Sequence, residues 1–365
     1  MTVSIRQAAG SLLVVGLSGT ELTGLERAWL KLVRPSGIIL FRRNISDAVQ
    51  TRALLSESIG YCDNFNLRCV DVEGGTVDRL RDAVAPMPSA QAVGKTNNLS
   101  LMRRHGELIG REAAAFGFNT TLAPVLDLGL SASASVMGTR AAATDSEGVI
   151  RYAWAFLAGL AARGVVGCGK HFPGLGGGVL DSHLETPVIE RGWSELWSED
   201  LVPYQQLAED LPMVMVNHAA YPKTRGSGRP ATVSPFWVSS ILLKRIGFRG
   251  LVFSDDMEMG GILKFLPMEE ATVAAVRAGI HLMEICHSPE LILRCYESLI
   301  SEAERSASFR KLLMEREVTG KRLRRKHFGR PIGRALSATQ LAALRDEVLR
   351  FREKVESFAM GGAAL

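Results

Sequence analysis

The sequence predicts an α/β protein, a single (β/α)8 barrel of the TIM type with extra helices at its C-terminal end. Three observations predict it. Short apolar runs alternate with longer amphipathic stretches; there are eight such runs; and most end on, or run directly into, an acidic or basic residue. Strand–helix alternation implies parallel strands joined by helical crossovers. Eight units favour a closed barrel over an open doubly wound sheet, and working residues in such barrels gather at the C-terminal rim of the strands. A chain of 365 residues accommodates one such barrel.

In chain order, strands are expected at residues 12–17 and 37–41, both uninterrupted apolar runs. The run 67–72 carries Asp71 with Glu73 just beyond it, and 120–126 precedes Asp127. Residues 165–170 deliver Lys170 and His171, 213–218 end on His218, and 251–255 deliver Asp255, with Asp256 beside it pointing elsewhere if the pleat persists. The eighth strand is expected at 280–286. Amphipathic stretches at 22–33, 48–59, 99–116, 147–162, 194–209, 235–246 and 268–278 supply the crossover helices. Two further helices follow at 289–306 and 337–357. The last opens at Ser337, with Thr339 nearby as a second capping candidate, and offers Leu341, Leu344 and Leu349 for packing. With no internal repeat or low-complexity linker, residues 1–335 form the barrel. Residues 336–365 form a helix packed on it rather than a second domain, with a frayed end.

The formal net charge of +5 is concentrated between Lys311 and Arg334 and is densest from Lys321 to Lys326. Without a recognition motif or interleaved aromatics this run reads as a solvated helix end, so no nucleic-acid partner is expected. Five cysteines (Cys62, Cys69, Cys168, Cys286 and Cys295), an odd number with no CxxC pair, argue against a disulfide framework and for a reducing compartment. No secretory layout opens the chain, and no apolar run approaches the ~20 residues of a membrane span. The expectation is a soluble cytoplasmic protein without membrane partners, monomeric or weakly self-associating.

Three motifs carry chemistry. The longest, from Cys168 to Pro187, runs from a strand through Lys170 and His171 and a glycine-rich segment to Asp181-Ser-His183. A carboxylate two residues from an imidazole can bind one ring nitrogen, fix the tautomer and raise the basicity of the other, which suits a proton shuttle. The second, Val70 to Leu80, brings Asp71 and Arg79 to one rim, either for bidentate bonding to sugar hydroxyls or a carboxylate, or as a structural ion pair. In the third, Gly250 to Met259, an apolar strand carries Asp255 to the barrel mouth, where a carboxylate can attack an electrophilic carbon. Adjacent Asp255 and Asp256 also fit a magnesium site, and Gly174 to Gly178 a weak phosphate cradle.

Together, Val70-Asp-Val-Glu-Gly-Gly, Lys170-His-Phe-Pro-Gly, Asp181-Ser-His183 and Phe253-Ser-Asp-Asp-Met resemble glycoside hydrolase family 3, and more narrowly its bacterial β-N-acetylhexosaminidases of peptidoglycan recycling. The segments 37–44, 119–127, 138–140 and 230–235 fit as well, so the resemblance spans residues 12 to 290 in order. It implies a retaining exo-β-N-acetylglucosaminidase that releases terminal β-linked GlcNAc from cell-wall fragments in the cytoplasm. It implies Asp255 as nucleophile, His183 as acid/base oriented by Asp181, and Asp71, Arg79, Arg140, Lys170 and His171 as sugar-binding residues. No metal or organic cofactor is implied. The chain departs from the family at Leu175 and Gly177, at Thr76, at 141–143, and at His281, where the last strand often has Asp. Three readings stand beside this one: another family 3 β-glycosidase or a glycoside phosphorylase, a metal-dependent barrel hydrolase using His171, His183, His218 and Asp255, and a saccharide-binding relative without turnover.

Overall fold

The structure is a computed structural model that describes residues 3–178, 186–226, 228–329 and 333–361. Eight parallel strands form the barrel: β1 Leu13–Gly16, β2 Gly37–Leu40, β3 Leu67–Val70, β4 Thr120–Thr121, β5 in two pieces (Val166–Gly167 and Gly169–Phe172), β6 Met213–Val216, β7 Leu251–Asp256 and β8 Leu282–Ile285. Each pairs in parallel with its neighbours. The sheet comes round through β5, whose first piece pairs with β4 and whose second pairs with β6. Strand β4 is shorter than expected because Pro124 has no N–H to give the ladder. Pairing continues past it irregularly, with a bridge from Val125 to Lys170 and a bond from Leu126 N–H to the Lys170 carbonyl (2.6 Å).

The period-two alternation of a strand sorts the side chains into two cores. Val14, Ile39, Leu67, Cys69, Met213, Met215, Leu251, Phe253 and Leu282 fill the barrel interior. Leu13, Val15, Ile38, Leu40, Val70, Val214, Val216, Val252, Met283 and Ile285 face outward against the helices. Barrel interiors packed in this way are solid, which confines any ligand to the rim. Gly16 lies where β1 meets β8 so closely that a β-carbon would sit 1.9 Å from the Cys286 carbonyl oxygen.

The crossover helices Ala48–Ile59, Leu99–Phe116 and Met268–Ala278 match the expected ranges. Segments Leu196–Asp200 and Phe236–Ile246 take wider π turns. Two differences concern the C-terminal region. In the helix Ala307–Phe328 the basic run is not wholly solvated: Arg324 is buried and bonds Asp63 Oδ2 (3.1 Å) and the Asn64 carbonyl (3.3 Å). In the final helix, Ala338–Gly361, Leu344 is buried but Leu349 is exposed, and Val348, Phe351 and Val355 complete the apolar stripe instead. Arg104 and Arg111 both bond Glu347 across that contact at 2.5 Å.

Candidate functional site

A pocket of about 560 Å³ opens at the C-terminal rim of the barrel. Among its lining residues are Asp71, Arg79, Arg140, Lys170, His171 and Asp255. Asp181 and His183 lie outside the described residues. A larger opening of about 690 Å³ lies at the opposite rim, beside Val166, Pro212, Gly250 and Lys326, just before strands β5, β6 and β7.

Each pocket group is placed by local structure. Beyond β3 the chain forms a small hairpin, Val72–Gly74 against Val77–Asp78, turned at Gly74 and Gly75 with φ of +90° and +65°, which glycine adopts without steric cost. The Thr121 hydroxyl clamps Val72 through its N–H (3.2 Å) and carbonyl (3.0 Å). This hairpin carries Glu73 inward. Arg140 grips Glu73 in bidentate fashion (2.8 and 2.7 Å), and Lys170 reaches both Glu73 (2.6 Å) and Asp71 (3.0 Å). Arg79 stands 3.8 Å from Asp71 and its backbone N–H bonds the Asp71 carbonyl. Burial pushes the Glu73 carboxyl up, but the Arg140 guanidinium and Lys170 ammonium outweigh it and hold it far below the usual carboxylate range. Burial pulls Lys170 down, yet Asp71 and Glu73 overcome this and hold the ammonium charged.

His171 is fixed by Asp127, which accepts from Nδ1 (2.6 Å) and from the His171 backbone N–H (3.1 Å), while Arg140 faces its Nε2 at 3.2 Å. The other Asp127 oxygen accepts from Leu175 N–H at 2.6 Å. Glu73 and Asp127, noted in the sequence only as strand-end acids, are thus the two anchors of the site. Their signal was the strand-end position itself, which does not separate an anchor from a ligand-facing group.

Asp255 ends in the same pocket. Burial raises its carboxyl, but the His171 and His218 rings, the Asp256 N–H (3.0 Å to Oδ1) and Lys170 together hold it below its ordinary value, so it is ionised. Asp256 does not point away from the pocket as the pleat predicts. The β7–β8 register shifts between Phe253 and Asp256, and both acids line the cavity. His218 is structural: Nε2 donates to the Asp256 carbonyl (3.0 Å), Nδ1 and the Thr232 hydroxyl lie 2.9 Å apart, and burial pulls the ring below its ordinary value. With both nitrogens of His171 and of His218 engaged, neither ring presents a lone pair to the metal site weighed above. Of the departures, Leu175 lines the pocket, Thr76 is exposed outside it, and Ala141 and Ala142 are buried. Gly177 packs on Arg191. His281 is buried below the rim, where Nδ1 accepts from Val252 N–H at 3.0 Å.

Paired acids and cations around an ionised carboxylate suit a polar ligand with many hydroxyls. The comparisons with known proteins agree. The model described as the N terminal domain of glycosyl hydrolase family 3 matches residues 4–316. Beta-hexosaminidase from Stenotrophomonas maltophilia (strain R551-3) is 35% identical over 288 residues, which is 77% of this chain and 84% of that protein. The structure of a glycoside hydrolase family 3 beta-N-acetylglucosaminidase from Paenibacillus sp. str. FPU-7 superposes with a TM-score of 0.86 at 27% identity, covering 96% of this chain and 69% of that one. Native NagZ from Neisseria gonorrhoeae superposes with a TM-score of 0.76 at 27% identity, covering 96% and 98%.

Proposed function

The chain belongs to glycosyl hydrolase family 3, and from that premise we propose that it is a retaining exo-β-N-acetylglucosaminidase acting on terminal β-linked GlcNAc of peptidoglycan fragments in the cytoplasm. That it is a glycoside hydrolase of the β-hexosaminidase group follows from its relatives. The finer reading is carried by one observation. A half-buried carboxylate, Asp255, is kept ionised in a pocket where Arg140 and Lys170 are already paired with Glu73 and Asp71.

In this scheme Asp71, Arg79, Arg140, Lys170 and His171 hold the sugar. An Asp255 oxygen forms a bond to the anomeric carbon as the bond to the departing oxygen breaks, and His183 gives that oxygen its proton. Water then attacks the same carbon, its proton passes to His183, and the Asp255 carboxylate is released. Most retaining glycosidases use two carboxylates; here an imidazole takes the second role. Asp181 is assigned as the partner that orients that imidazole. The pairing of Lys170 and Arg140 with buried acids supports hydroxyl recognition rather than binding of a free anion, since their charge is already met.

A 5-fluoro glycosyl fluoride of GlcNAc should trap the intermediate, and mass spectrometry of the digested protein should find the adduct on Asp255. Proton NMR of early product should show the β-anomer, and kcat/KM for the aryl β-GlcNAc should exceed that for the β-glucoside. An adduct on Asp256, or an inverted product, contradicts the scheme. Phosphate-dependent release of sugar phosphate would place the chain among the phosphorylases.

A further inference from the structure

The ends of β7 and β8 bring together donors that the proposed chemistry does not use. Asp256 closes β7, and Cys286 and His287 follow β8 directly. One carboxylate oxygen of Asp256, the Cys286 sulfur and one ring nitrogen of His287 all lie within 4.8 Å of one another. The cluster is buttressed by backbone. Glu258 accepts from Cys286 N–H (3.1 Å) and Ser288 N–H (2.6 Å) and faces His287 Nδ1 at 3.0 Å. Asp256 Oδ1 accepts from Glu258 N–H at 3.0 Å, which leaves Oδ2 directed at His287 Nδ1, 3.6 Å away. The His287 ring rests against Phe41, with centroids 5.3 Å apart. The thiol donates to Glu284 Oε1 at 3.2 Å.

We propose that Asp256, Cys286 and His287 form a binding site for a soft or borderline divalent cation such as zinc, at the mouth of the sugar pocket. The donor set decides the class: thiolate plus imidazole plus carboxylate selects zinc-like ions over magnesium, which wants oxygen alone. A tetrahedral ion with ordinary zinc–sulfur and zinc–nitrogen bonds holds its ligand atoms roughly 3.5 Å apart. The present atoms, within 4.8 Å of one another, must close by up to about 1.3 Å to reach that spacing. The burial gradient suits such a site, because Cys286 is buried, Asp256 half-buried and His287 exposed, leaving the fourth position to water. On binding, the thiol proton leaves to solvent, and thiolate and carboxylate together balance the two positive charges.

The consequence is inhibition. Asp256 N–H bonds Asp255 Oδ1, so the ion sits one residue from the carboxylate assigned as nucleophile and lowers its electron density. Only this consequence rests on the functional reading; the binding does not. Cobalt(II) titrated into the full-length protein should give a thiolate-to-cobalt charge-transfer band, absent in Cys286→Ser and weakened in His287→Ala. Zinc should lower hydrolysis of the aryl β-GlcNAc, EDTA should restore it, and magnesium should do neither. In the double variant Cys286→Ser/His287→Ala, the zinc concentration for half-inhibition should rise at least tenfold, each variant being compared with its own metal-free rate. Equal zinc sensitivity in the double variant, or no cobalt–thiolate band, overturns the proposal. A cobalt band in a protein that hydrolyses no glycoside would keep the site and discard the functional reading.

Discussion

The two rims of this barrel carry charged residues in different states. At the C-terminal rim Glu73, Lys170, His171 and Asp127 are buried, Lys170 bonded to Glu73 and His171 to Asp127, with Asp255 half-buried in the same pocket. At the N-terminal rim Lys326 and Arg249 stand at the edge of an open cavity and are exposed to water. Volume would direct attention to the second, since its opening is the larger. Electrostatics directs it to the first. Burying a charge is costly unless it is paired, so a rim that buries several holds them for a use that solvent-exposed charges do not serve. Perturbed ionisation inside a cavity is therefore a better guide here than cavity size.

The comparison is broken most severely at Glu73. In Glu73→Gln, Arg140 and Lys170 lose their shared counter-charge in a buried setting, and breaking such a pair costs ~3–5 kcal/mol. The two cations proposed to hold the sugar are no longer held in place, so kcat/KM should fall by about 10²-fold, a barrier change of ~3 kcal/mol. The pH dependence has a definite sign. Because Glu73 is held below its ordinary value of 4.5 in the fold, its contribution to stability is complete above that pH and is lost as pH falls below it. Thermal melts from pH 7 to pH 3 should show a shallower acid decline in Glu73→Gln than in the parent. An equal decline would mean that the network does not carry acid sensitivity.

His281 sharpens the contrast because it is a buried histidine below the C-terminal rim. Burial pushes its ring down from 6.5 to about 3, so the unfolded chain takes up a proton there that the fold refuses. The unfolded state thus binds more protons between those values, and His281 costs stability as pH falls from 6.5 toward about 3. At neutral pH, however, its Nδ1 satisfies the buried Val252 N–H. His281→Ala should therefore lose ~1–3 kcal/mol of stability at pH 7 and leave kcat/KM unchanged. Urea unfolding and the aryl glycoside assay on the same preparation separate the two effects. A tenfold kinetic loss would link this ring to the site.

Much of this was legible in the sequence, for reasons that also explain the exceptions. Eight apolar runs read as strands because most are bounded by polar residues, glycine or proline, and strand-end acids marked the rim. The runs did not say which strand-end residue is an anchor. Asp127, Glu73 and His218 look like Asp71, Lys170 and Asp255 until their partners are seen. Alternation alone turns Asp256 away from the pocket, because a register shift cannot be read from it. Leucine content alone points to Leu349, whereas helical phase selects Val348, Phe351 and Val355. The pairing of Cys286-His287 with Asp256 joins residues thirty apart and needed the β7–β8 neighbourhood. The proposed acid/base pair, Asp181 and His183, lies outside the described residues.

The smallest expected effect lies at the far rim and tests the comparison where it is weakest. Arg324 and Lys326 sit two residues apart on one helix, inside the same basic run. Arg324 is buried, and Asp63 and the Asn64 carbonyl meet its charge. Lys326 is exposed beside the larger opening. If burial and pairing are what make a charge matter, Arg324→Ala should cost ~1–3 kcal/mol of stability by removing the donor to Asp63 and the Asn64 carbonyl, although Lys321 still stands 3.5 Å from Asp63. Lys326→Ala should stay within about 0.5 kcal/mol. Neither should move kcat/KM by more than about twofold, since a surface or distant change contributes little to the barrier. Measuring both variants in one denaturation and kinetics series isolates the variable, because helix, charge sign and sequence neighbourhood are shared. A kinetic loss in Lys326→Ala larger than the stability loss it suffers would show that the open rim participates in turnover after all, and that cavity size had been the better guide.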